Sequence, residues 1–216
     1  MKKKSLFIAA LMAMATSANA QSDYYVAHGA DVNINHAQHY PKTASIVGTQ
    51  SPRQELTGIA SAIKCPAYFD KTSTVFEVKA GDIVTPDVTI NGQWMHGYVY
   101  VDWNSNKKFD VNLEGSGPYT QGEGNELMCW SFYNHADYNG NTGWNSDGEQ
   151  AGSDALPRGS LRVPSTLEVG STYRMRYKVD WDSVDPAGRL EDGNGILKNG
   201  GAICDILVNL HGDVCT

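Results

Sequence analysis

Apolar residues in this chain recur mostly at every second position, in short runs broken by Gly, Asn, Asp and Pro. The strongest run is residues 94–102. Met95, Gly97, Val99 and Val101 fall on one face, and Trp94, His96, Tyr98 and Tyr100 on the other. Two apolar faces predict a central strand covered on both sides. Residues 173–180 alternate more cleanly, with Tyr173, Met175, Tyr177 and Val179 against Arg174, Arg176, Lys178 and Asp180. That pattern predicts one core face and one solvent or polar face, with the arginines paired to nearby carboxylates. Further strands are predicted at 54–59, 72–79, 87–90, 126–132, 160–163 and 203–210. In 72–79, Thr74, Phe76 and Val78 share one face. Asn91-Gly92 is a hairpin dipeptide leading into the 94–102 strand. Beyond the N-terminal leader no stretch carries a helical period. The expected fold is all-β: an antiparallel sandwich, immunoglobulin-like or jelly-roll-like, forming a single domain at residues 53–216 with long loops.

The first twenty residues read differently. Lys2, Lys3 and Lys4 precede a short apolar run, and Ser17-Ala18-Asn19-Ala20 offers a small-residue cleavage site. This predicts a signal peptide at 1–20, cleaved near Ala20, and a secreted or periplasmic chain with no transmembrane segment after maturation. Residues 21–52 are polar and aperiodic, which predicts an arm or loop. His36 and His39 stand three apart there, but nothing predicts a helix that would bring them together. The net charge of −7, with no basic run, argues against nucleic acid or anionic lipid as partner. Four cysteines suit an oxidising compartment and allow three pairings. Cys204–Cys215, tying down the C-terminal tail, and Cys65–Cys129 are the expected bridges.

Two acidic loops follow the two Asp-Trp steps. Asp102, Asn104, Asn106 and Asp110 place side-chain oxygens at alternate positions, as calcium loops do. Lys107 stands where such a loop uses glycine, and the competing expectation is a loop that caps its own backbone. Asp180, Asp182 and Asp185 form a more acidic cluster that a cation, or Arg176 or Arg189, would neutralise. The Gly-rich stretch 134–154 is too polar to pack alone, and a loop of that length is usually functional or mobile. Trp144 within it, with Tyr138, Asn145 and Asp147, is the expected sugar platform: an aromatic ring beside groups that hold hydroxyls. No G-x-S-x-G, H-E-x-x-H or phosphate-loop motif is present.

The order of these blocks resembles the GEVED-type domain of secreted bacterial proteins. The resemblance is carried by Val99–Asn104 with Phe109, then Arg174-Met175-Arg176, and is only echoed in residues 201–207, where Asp205 keeps an acidic position but the Glu and Tyr of the family block are absent. It implies a β-sandwich accessory module of extracellular proteins, often set beside glycan-processing domains, with no catalytic activity of its own. The resulting expectation is a secreted binding module for carbohydrate or another cell-surface polymer, with calcium as its one expected cofactor. The alternatives are a structural or adhesive domain that assembles through sheet edges and, behind it, a glycan hydrolase.

Overall fold

A computed structural model of the chain describes residues 23–27, 39–60, 66–91, 95–111, 113–114, 120–121, 125–132, 145–147, 159–180, 184–188, 196 and 200–212. Among them lie β1 (Tyr40–Gly48), β2 (Gln54–Thr57), β3 (Tyr68–Lys79), β4 (Ile83–Asn91), β5 (His96–Val101), β6 (Leu113–Glu114), β7 (Thr120–Gln121), β8 (Leu127–Phe132), β9 (Leu161–Arg162), β10 (Thr172–Asp180) and β11 (Ala202–His211). One sheet runs β2-β1-β4-β9 and the other β3-β11-β10-β5-β8, while β6 and β7 pair only with each other. The pairings are antiparallel except β3 with β11, which run parallel.

The two sheets pack face to face. Ala44, Ile46, Val84 and Leu161 of the first meet Phe76, Val78, Val99, Val101, Met175, Tyr177, Ile206, Val208 and Leu210 of the second in one buried cluster. Removing this apolar surface from water is the main force holding the sandwich together. The fold is therefore the all-β sandwich that the alternation predicts. β5 and β10 lie side by side at its centre, in register from Met175↔Val101 to Asp180↔His96. All six residues of β5 are buried, as expected of a central strand.

Four expectations need correction. The polar face of β10 is not solvated: Arg176, Lys178 and Asp180 are all buried, and Tyr24, Tyr25, Phe109 and Pro186 pack over Arg176. Residues 21–52 are not wholly an arm, since β1 is a central strand paired to both β2 and β4. Asn91-Gly92 does not close a hairpin. β4 belongs to one sheet and β5 to the other, so the chain crosses between layers there; Gly92 itself lies outside the described residues. Finally, Cys129 and Cys204 are free buried thiols, which departs from the two expected bridges. Both point into the core, in a row Cys204–Tyr177–Val99–Cys129 across four strands. That row spans roughly 14 Å, too far for the two to join each other. Burial pushes the Cys204 thiol up to about 12. Cys65 and Cys215 lie outside the described residues.

Candidate functional site

The outer face of the five-stranded sheet carries a second layer, and the site is built within it. Its first wall is the loop leaving β5. Asp102, fully buried, accepts the Asn106 N–H at 3.2 Å, the Lys107 N–H at 2.9 Å and the Tyr24 hydroxyl at 2.8 Å. Asn104 Oδ1 accepts the Asn106 N–H and Asn106 Oδ1 accepts the Lys108 N–H, each at 2.9 Å. Asp110 Oδ2 accepts both side-chain amides, at 3.3 Å from Asn104 and 2.5 Å from Asn106. The four residues expected to ligate calcium thus turn oxygens towards their own loop, in the local bonding that Asn and Asp favour. Ser105 (φ 56°) and Lys107 (φ 67°) sit in the left-handed region, a backbone cost that the Asp102 bond to Lys107 helps to offset. From below, Glu126 accepts the Asn104 N–H at 3.4 Å and the Asp110 N–H at 2.9 Å. Burial pushes its carboxyl up to about 7, and the Asp102 charge adds to that shift.

The second wall is the strap at residues 23–27. Tyr24 donates its N–H to Lys107 O, and Ala27 donates to Ala187 O, both at 2.9 Å. The Tyr24 ring lies 5.5 Å from Phe109, with the Arg174 guanidinium 4.4 Å above it. The third wall is the turn at 184–188. There Asp185 Oδ1 accepts the Ala187 N–H at 2.8 Å, and Tyr100 ties the turn to β5 through Val184 O at 2.6 Å.

Arg176 joins the sheet to the strap and to the turn. Its Nε and Nη2 grip Asp205 on β11 at 2.6 and 2.8 Å, its Nη1 donates to Pro186 O at 2.8 Å and Tyr25 O at 3.2 Å, and Nη2 reaches Tyr24 O at 3.0 Å. A guanidinium has five N–H donors, and these bonds engage every one. Burial works against the charge, but the Asp205 carboxylate outweighs it and holds Arg176 above its ordinary value. The pairing expected of this arginine is therefore present, to a carboxylate on the neighbouring strand.

Between the three walls lies a pocket of about 160 Å³, lined by Asp23, Tyr24, Tyr25, residues 106–110, Arg176 and residues 185–187. Of its lining residues, Phe109 and Arg176 are buried, whereas Tyr25 is 37 % exposed. Asp23 is fixed by Lys107 Nζ at 2.9 Å.

The residues singled out in the sequence divide between this pocket and the framework. Asn106, Asp110 and Asp185 line it. Asp102 and Asn104 shape the loop behind it. Asp180 is instead buried in an ion pair with Lys178 at 2.9 Å and is not among the pocket's lining residues. Asp182 lies outside the described residues. Among the described residues, no group of three or more His, Cys, Asp or Glu side chains is placed to hold a metal ion. Trp144 and Tyr138 also lie outside them. Asn145 is buried and accepts the Asp147 N–H at 2.9 Å, while Asp147 accepts the N–H and hydroxyl of Ser160. Those two side chains brace the end of their loop. Trp103 packs against the inter-sheet cluster, its ring 5.1 Å from that of Tyr173. The alternation missed Asp23, Tyr24 and Tyr25, whose only signal was a Tyr-Tyr pair in a polar arm. The chain matches no family model and no curated protein, so the resemblance to GEVED-type domains rests on the quoted residues alone.

Proposed function

We propose that this chain is a secreted, non-catalytic module that binds carbohydrate of an extracellular polymer through the pocket between residues 23–25, 106–110 and 185–187. The observation that carries the reading is the pairing, in one pocket, of an exposed tyrosine, Tyr25, with carboxylates held in place by other bonds. An aromatic face stacks on the apolar face of a sugar ring, and ionised carboxylates accept strong hydrogen bonds from hydroxyls. The adhesive alternative, assembly through open sheet edges, finds less support. At Glu77 on the edge strand β3, the Gln54 side chain both donates to the backbone carbonyl at 2.7 Å and accepts the N–H at 2.6 Å. That blunts the edge where another strand would add.

The test is a glycan array probed with the wild-type protein, Tyr25→Ala and Trp144→Ala. Binding by the wild type that falls about tenfold or more in Tyr25→Ala, a loss of about 1.4 kcal/mol, supports the pocket. Loss only in Trp144→Ala moves the site to the 134–154 loop. No binding to any glycan removes the reading.

A further inference from the structure

We infer that the pocket recognises the end of a glycan, taking a single uncharged sugar residue rather than a length of chain or an acidic sugar. This rests on the carbohydrate reading and adds to it the size and charge of what is bound.

Size comes first. At about 160 Å³, the pocket is roughly half the ~300 Å³ at which sites for drug-sized ligands begin. That volume matches about one sugar ring. Walls come from three separate segments, and the lining includes two buried residues, Phe109 and an Arg176 whose donors are all engaged. A cleft for an extended polymer would run on past both ends of the bound unit. Here the Tyr24 bond to Lys107 and the Ala27 bond to Ala187 lace the strap to the loop and the turn.

Charge comes second. Asp23, Asp110 and Asp185 line the pocket against Lys107 and Lys108. Lys107 is already paired with Asp23, and Arg176 with Asp205. A uronate or sulfated sugar would therefore meet a carboxylate-rich rim in which Lys108 alone, among the cations lining it, has no described carboxylate partner. A like-charge approach of that kind is unfavourable. A neutral sugar brings only hydroxyl donors. Those suit Asp110, held by two asparagine amides, and Asp185, held by the Ala187 N–H. Acceptors fixed before the ligand arrives cost less to order on binding.

Calorimetry on the intact protein tests this. The titrants are methyl glycosides of neutral hexoses and N-acetylhexosamines, linear neutral oligosaccharides of increasing length, polygalacturonate and heparin. The expected result is a neutral methyl glycoside bound within about threefold of its longest oligosaccharide, with Asp110→Asn and Asp185→Asn each weakening it about tenfold. An affinity that climbs more than about tenfold with chain length overturns the inference and leaves the carbohydrate reading standing. So does tighter binding of polygalacturonate or heparin. No binding of any sugar overturns both.

Discussion

Arg176 is the residue on which the second layer depends. It is buried, bidentate to Asp205, and bound to three backbone carbonyls from two separate segments. Asp205 in turn accepts Tyr68 Oη at 3.1 Å and lies 3.5 Å from Arg174 Nη1. Removing one partner of such a pair strands the other charge in a dry interior, which costs about 3–5 kcal/mol, while an apolar pair of similar volume is often tolerated. Arg176→Met and Asp205→Leu should each lower stability by that amount in denaturant unfolding. The double variant should recover at least about half the loss. Additive losses would mean that the two residues act independently. Alternation along 173–180 made an arginine–carboxylate pair legible. The partner was not, because the facing of Arg176 and Asp205 is set by strand register, which no local pattern encodes. Gly201 is a second position of this kind. It stands at φ 100°, and a Cβ there would collide with Val179 O, so only glycine fits where the chain enters β11.

At the scale of elements, the turn before β4 is fastened to the end of β1 by one carboxylate. Asp82, buried, accepts the Thr49 and Ser51 hydroxyls and the N–H groups of Gln50 and Ile83. Burial pushes its carboxyl up, but these four bonds together outweigh that and hold it below the ordinary 3.8. A depressed acid contributes stability above its unfolded value and loses it as pH falls through the folded one. Melting temperature should therefore fall as pH drops below about 4, and Asp82→Asn should flatten that acid limb while lowering stability at neutral pH. An unchanged acid limb in Asp82→Asn would show that other carboxylates govern it. β3, β5, β10 and β11 were legible because their apolar residues are large and regularly spaced. β1 was not: its inward Ala44 is small, its Ser45 is buried on the other face, and Pro41 stands near its start. The first half of β4 was hidden by Pro86, a residue tolerated there although it pairs with Ile46.

At the scale of the whole molecule, the strap at 23–27 is the piece whose removal separates scaffold from site. Deleting it should leave the β-sheet circular dichroism unchanged, because none of its residues belongs to a strand. It should cost about 1–3 kcal/mol through the Arg176 donors and the Asp102 carboxylate left without Tyr24, Tyr25 and their bonds. Sugar binding should vanish with it. Binding that survives the deletion would place the ligand elsewhere. The sandwich was legible in the sequence and the pocket was not, for one reason. Strand periodicity is local, whereas the pocket joins residues near 24, 108 and 186, brought together only by the completed sheet.

The parallel pairing of β3 with β11 also sets the order of assembly. In the sheet β3-β11-β10-β5-β8, the earliest strand in sequence is hydrogen-bonded into the sheet only by the latest. Residues paired in that ladder, such as Tyr68 and Ile203, are separated by most of the chain. As the polypeptide emerges from its N-terminus, β5, β8 and β10 can meet in turn, but β3 must wait with its edge open until β11 arrives. Contacts of such long sequence range slow folding, because the loop must close before the pairing rewards it. The last strand made is thus the one that closes the sheet, and a nascent chain stalled short of residue 202 leaves two unpaired edges, on β3 and β10, exposed to aggregation.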